Sequence, residues 1–128
     1  MRLLADTCTF LWLAGNPARL SAAAKDALSD SANSIFLSVV SSWEIALKIS
    51  SGGLEWVQDA KVRVPYWRDH WGIQSLALDE KSVWHLTQLP HVHRDPFDRM
   101  LVCQAIAHGL VLVTPDVAIR QYPVDVLW

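Results

Sequence analysis

The sequence contains no glycine-rich phosphate loop. Neither G-x-G-x-x-G nor a Walker A pattern occurs, which removes the backbone cradle used by most nucleotide-cofactor proteins. It also lacks a cysteine framework: Cys8 and Cys103 are the only thiols, and two cysteines make no secretory scaffold. A disulfide between them is not expected, and a reducing, cytoplasmic setting is. A basic excess is missing as well. Eleven Lys and Arg stand against 13 Asp and Glu for a formal charge of −2, so a nucleic acid would have to be held locally and not by the whole surface. No uncharged apolar run approaches the roughly 18 residues needed to span a bilayer, and Asp6 comes too soon after Met1 for a signal-peptide core. No membrane association is expected. Repeats, low-complexity runs and linkers are also absent.

What is present is apolar. Hydrophobic residues make up 52% of 128 positions and charged ones 19%, enough for one domain over residues 1–128 with a sizeable core, and for apolar surface to be hidden in an oligomer or complex. Arg2 to Ala5 reads as a strand ending at Asp6, and Phe10, Leu11 and Leu13 as a helix stopped near Gly15-Asn16-Pro17. Leu20-Ser21 opens an alanine-rich helix to about Asp30. Ile35 to Val40 is a second strand, and Ser41 to Glu44, matching a capping box, starts a helix that stops at Gly52-Gly53. The stretch from Leu54 to His70 reads as a helical excursion, weakly helical over Val57 to Val62 and interrupted by Pro65. Ile73 to Leu78 is a third strand, and Asp79 to Leu89 a helix closed by Pro90. Asp95-Pro96 begins a long helix to His108 with Gly109 as its stop; Leu110 to Thr114 and Val124 to Leu127 complete the strands. Strand–helix alternation of this kind predicts an α/β fold with a mainly parallel central sheet flanked by helices in three layers.

Four acids recur at equivalent places. Asp6 follows the first strand, Glu44 the second, Asp98 sits in the first turn of the late helix, and Asp116 follows the most strand-like run. Open parallel sheets bind ligands beyond the carboxyl ends of their strands, so residues remote in sequence can meet there. Each acid also has a local explanation as a cap or turn residue. Gathered at one edge, however, they would repel one another unless a cation or protonation relieved the field. Carboxylate oxygens suit Mg²⁺ or Mn²⁺, and a polyacidic, histidine-free centre suits metal-assisted phosphodiester chemistry. His91 and His93 read as loop or substrate-contact residues, and His70, His85 and His108 as structural or surface ones. Lys48, Arg94 and Arg99 are open to either phosphate contact or surface ion pairing. Trp12, Trp43 and Trp84 read as core or partner-facing, and Trp56, Trp67 and Trp71 as an apolar groove.

Through Leu3-Leu4-Ala5-Asp6-Thr7, Ser42-Trp43-Glu44, His93 to Leu101 and Leu112 to Asp116, the sequence resembles PIN-domain ribonucleases, particularly the VapC toxins of prokaryotic type II toxin–antitoxin systems. The run Asp95-Pro96-Phe97-Asp98-Arg99 is its most specific part. The resemblance implies a Mg²⁺-dependent endoribonuclease (Mn²⁺ being an alternative) with Asp6, Glu44 and Asp98 as the principal catalytic and metal-binding acids and Asp116 as a fourth. It makes Asp95 the helix cap. It further implies an RNA substrate, a homodimer and a VapB-like antitoxin that wraps the toxin and blocks the acidic pocket with a carboxy-terminal segment, where a basic side chain would have a target in the acids. Cys8 stands where related chains often carry His or Asn, and Pro115 is a milder departure. Two other readings stay open: a catalytically inactive PIN-like module that binds protein or RNA, and a metal-dependent nuclease acting on DNA.

Overall fold

The chain is described here through a computed structural model covering residues 1–54 and 59–128. Among these residues five strands form one parallel sheet: β1 (Arg2–Ala5), β2 (Ser34–Ser38), β3 (Gln74–Leu76), β4 (Val111–Val113) and β5 (Val126–Leu127), in the order β3-β2-β1-β4-β5. The helices are α1 (Thr7–Gly15), α2 (Ala22–Ser29), α3 (Val39–Ser50), α4 (Ala60–His70), α5 (Glu80–His85) and α6 (Pro96–His108). The chain winds outward from β1 to β2 and β3, then crosses back to β4 and β5 on the other side of β1. That reversal creates a switch point between β1 and β4, where the connections diverge and leave a crevice at the carboxyl ends of the strands.

The apolar runs of β1 and β4 are explained by burial on both faces. Leu3 and Val113 pack with Phe10, Leu13, Leu28 and Ile45 under α1 to α3. Their neighbours Leu4 and Leu112 face the opposite layer, with Leu101, Val102 and Ile119. Each fully buried leucine contributes about 1.5–3 kcal/mol relative to exposure.

Five local expectations are corrected. The second strand ends at Ser38, and Val39 and Val40 already belong to α3. Ser38 is the cap, its Oγ accepting from the Val40 N–H at 3.0 Å, so the Ser41–Glu44 capping box does not form. Two β-branched valines read as strand in isolation, but here the first turn of the helix buries Val40 and leaves Val39 exposed. Pro65 does not interrupt α4, which runs through it; the lost N–H affects only the carbonyl of exposed Lys61, which water can satisfy. The third strand is only Gln74–Leu76, and α5 ends at His85, followed by a 3₁₀ turn over Leu86–Gln88. Trp56 and the start of the Val57–Val62 run lie outside the described residues. Cys8 and Cys103 are both free, and Trp84 is exposed. Among the described residues, no helix is long and apolar enough to cross a membrane.

Candidate metal centre

Asp6 is delivered to the switch point by the sheet itself. Its N–H donates to the Val113 carbonyl at 3.1 Å, continuing the β1–β4 ladder by one residue. Its side chain then caps α1, Oδ1 accepting from the Thr9 N–H at 2.7 Å. The next residue ties α1 to α3: the Thr7 hydroxyl donates to Ser41 Oγ at 3.0 Å, both groups being buried. One helical turn beyond Ser41 sits Glu44, only 5% exposed. Its Oε2 lies 2.9 Å from Lys48 Nζ, and its buried Oε1 has no hydrogen-bond partner.

The start of α6 separates capping from chemistry. Asp95 Oδ1 accepts from the Phe97 N–H at 2.8 Å and more loosely from that of Asp98 at 3.4 Å. The cap is thereby supplied by Asp95, and the Asp98 carboxylate is free to face the crevice. Asp116 arrives from the far end of β4. Its Oδ1 caps the 3₁₀ turn Val117–Gln121 through the Ala118 N–H at 2.9 Å, and its Oδ2 lies 2.7 Å from His93 Nε2. Asp6, Glu44, Asp95, Asp98, Asp116 and Lys48 line one cavity of about 250 Å³.

The electrostatic result is strain. Burial pushes the Asp98 carboxyl up to about 7, helped by the charges of Asp95, Asp6 and Glu44 and opposed by His93. Asp6 is raised too, by burial first and by Glu44 least, against hydrogen bonds from Thr114 and Thr9. The Glu44 contact holds the Lys48 ammonium above its ordinary range. One cation does not neutralise five acids. Burial and the Asp6 charge push the Cys8 thiol up to about 11, leaving it a neutral wall of the cavity and a poor nucleophile.

These features fit a divalent cation. An unpartnered buried carboxylate oxygen and acids raised by burial and then by one another's charge are what Mg²⁺ or Mn²⁺ would relieve, and the donors are predominantly hard oxygens. His93, Asp98 and Asp116 each offer an atom within 4.8 Å of the others, a cluster capable of holding a metal ion. That cluster puts a histidine beside a centre that the sequence reading left free of histidine. His93 lies in the site and His91, exposed, does not. The available signal was His93's place two residues before the cap Asp95, where a tight turn folds its ring back toward the helix start.

Arg99 is corrected as well. It is 9% exposed, and its Nη1 donates to the Pro90 carbonyl at 2.9 Å and the Tyr122 hydroxyl at 3.3 Å. It braces the loop before α6 and is not offered to a phosphate. Arg94 remains exposed and lines, with Lys48 and Phe97, a groove of about 420 Å³ beside the acid cavity.

Acids converging at the switch point of a parallel sheet define an α/β protein built around a candidate metal site. The chain belongs to the PIN domain family, which it matches over residues 3–124. Its fold is shared by solved structures of low identity. A chain of VapBC2 from Rickettsia felis, solved bound to a DNA fragment from its promoter, superimposes with a TM-score of 0.75 at 13% identity, over 98% of this chain and 97% of that one. DNA-bound VapBC from Salmonella typhimurium gives 0.70 at 15% identity, over 98% and 96%. FitAcB from Neisseria gonorrhoeae gives 0.59 at 19%, over 97% and 95%. No curated protein matches the chain in sequence.

Proposed function

We propose that residues 1–128 act as one unit, a Mg²⁺- or Mn²⁺-dependent endoribonuclease serving as the toxin of a type II toxin–antitoxin pair. The observation that carries this reading is the crowding of Asp6, Glu44, Asp98 and Asp116 around one small cavity on whose lining Lys48 is the only cation among the described residues. A cation bound there supplies Lewis-acid polarisation of a phosphodiester and activation of water. Asp6, Glu44 and Asp98 are the residues that would hold it, with Asp116 in support. Glu44 Oε1, free of protein partners, is placed to accept a hydrogen bond from an attacking water. Asp98 is a second candidate for orienting it. Lys48 and exposed Arg94 provide local positive charge for flanking phosphates, consistent with a chain that lacks a broad basic surface. Hydrolysis in this family's manner leaves a 5′-phosphate and a 3′-hydroxyl.

The partners follow the same reading. A basic side chain of a VapB-like antitoxin has a target in the acid cavity. Val39, Trp43 and Leu47 recur every fourth residue along α3 and are all exposed, Trp43 at 59%. Such a stripe suits a homodimer or antitoxin contact better than solvent. A cytoplasmic location accords with the free cysteines.

The test uses purified protein free of antitoxin, pooled cellular RNA and single-stranded DNA, with and without Mg²⁺ or Mn²⁺. RNA cleavage that needs metal and is lost in both Asp6→Asn and Asp98→Asn is expected. Cleavage that survives metal removal, or is undiminished in both variants, refutes the mechanism. Cleavage of DNA alone favours the DNA-nuclease reading, and cleavage of neither favours the binding module.

A further inference from the structure

We infer that His93 is a positioning residue, locked as its Nε2–H tautomer to hold Asp116 in place, and that the cation is bound by carboxylate oxygens without the imidazole. Distance alone would allow His93 to be a ligand, since its Nε2 faces both Asp116 and Asp98. The other side of the ring decides the matter. Nδ1 accepts the backbone N–H of Asp95 at 3.0 Å. A backbone N–H can only donate, so Nδ1 presents its lone pair and the ring proton of the neutral imidazole resides on Nε2.

That proton points at a carboxylate. Nε2 lies 2.7 Å from Asp116 Oδ2 and 3.4 Å from Asp98 Oδ2, making the first contact the hydrogen bond and the second a weaker electrostatic one. The base of the residue is fixed too: the His93 N–H donates to the Tyr122 hydroxyl at 2.7 Å, and that tyrosine is buried and also contacted by Arg99. Three bonds, from the His93 backbone and both ring nitrogens, thus define one ring position. To ligate through Nε2, the proton would have to move to Nδ1, where it would meet the Asp95 N–H head-on. The turn that lets Asp95 cap α6 would be broken with it.

The ring therefore works as a strut between the loop after β4 and the start of α6, setting the distance of Asp116 from Asp98. Hydrogen-bonded partners of ligating carboxylates typically affect metal affinity or activity by about 10- to 100-fold. An oxygen-only donor set also favours Mg²⁺ or Mn²⁺ over Zn²⁺, which prefers nitrogen and sulfur. The consequence for catalysis rests on the proposed cation site, whereas the tautomer does not.

Long-range ¹H–¹⁵N NMR of the metal-free protein at neutral pH should find the His93 proton on Nε2; a proton on Nδ1, alone or in addition, overturns the inference. Pulsed EPR of the protein loaded with Mn²⁺ should show no imidazole nitrogen coupling, and its presence overturns the oxygen-only set. His93→Leu should weaken Mn²⁺ binding about tenfold, and His93→Gln, which can still donate an N–H to Asp116, should recover most of the loss. Equal loss in the two variants overturns the strut. If His93→Leu does not fold, the Gln variant and both spectra still decide. Failure to cleave RNA would sink the functional reading and leave the NMR result standing.

Discussion

Asp79 and Asp98 both sit at the start of a helix and both approach a histidine, yet the fold displaces them in opposite directions. Asp79 caps α5, accepting from the Ser82 N–H at 2.9 Å, and its Oδ2 lies 2.9 Å from His108 Nε2. Hydrogen bonds to Ser82, and then the charge of His108, hold its carboxyl below the ordinary value. Asp98 has surrendered the cap to Asp95, is partly buried among like charges, and is pushed up to about 7. The same residue type thus stabilises one helix start and is held at a cost in the other. An acid that the fold strains to keep is a better mark of function than an acid whose bonds are satisfied.

The largest test of this contrast is metal affinity. Glu44→Gln is expected to weaken Mn²⁺ binding by at least about tenfold by calorimetry, while Asp79→Asn leaves it unchanged; comparable losses would erase the distinction. The next test is pH. An Asp whose folded pKa is raised from 3.8 to about 7 binds more protons when folded than when unfolded between those values, so stability falls as pH rises through this window. The metal-free protein should melt progressively lower from about pH 4 to pH 7, with raised Asp6 acting in the same sense. Asp98→Asn should flatten that slope and, at neutral pH without metal, raise Tm by a few degrees, about 1 kcal/mol. Added Mg²⁺ should raise Tm in the wild type more than in this variant. The smallest effect belongs to Asp79→Ala. Its lowered pKa contributes stability that is present above the unfolded value and lost as pH falls through the folded one, so the variant should melt slightly lower at neutral pH and converge with the wild type in acid.

Much of the fold was legible because its signals are local. Asp6, Ser21, Asp79 and Asp95 each cap the helix that the pattern assigned to them, and Gly109, at φ 63°, ends α6 in the left-handed region where glycine is favoured. Where the reading slipped, as at Val39-Val40 and Ser41, a residue's local preference was outweighed by contacts from another part of the chain. Ser41 could cap a helix, but its hydroxyl is taken by Thr7, 34 positions away, and Ser38 caps instead. His93 was misjudged for the same reason, since its partner Asp116 is 23 residues distant. Arg99 was open to either phosphate contact or surface ion pairing, and its bonds to Tyr122 and Pro90 make it neither.

By itself the sequence determined which residues carry charge and which apolar runs form strands between helices. It also determined that Asp6, Glu44 and Asp116 come after strands and that Asp98 lies in the first turn of a helix, because helical and strand periodicity and capping depend on near neighbours. Only the tertiary structure decided that Asp6, Glu44, Asp98 and Asp116 share one cavity, that Glu44 keeps an unpartnered oxygen, and that a histidine braces the fourth acid. Those properties arise where β1, α3, α6 and the loop after β4 meet. Burial and like-charge repulsion act through space, and no stretch of chain contains them alone.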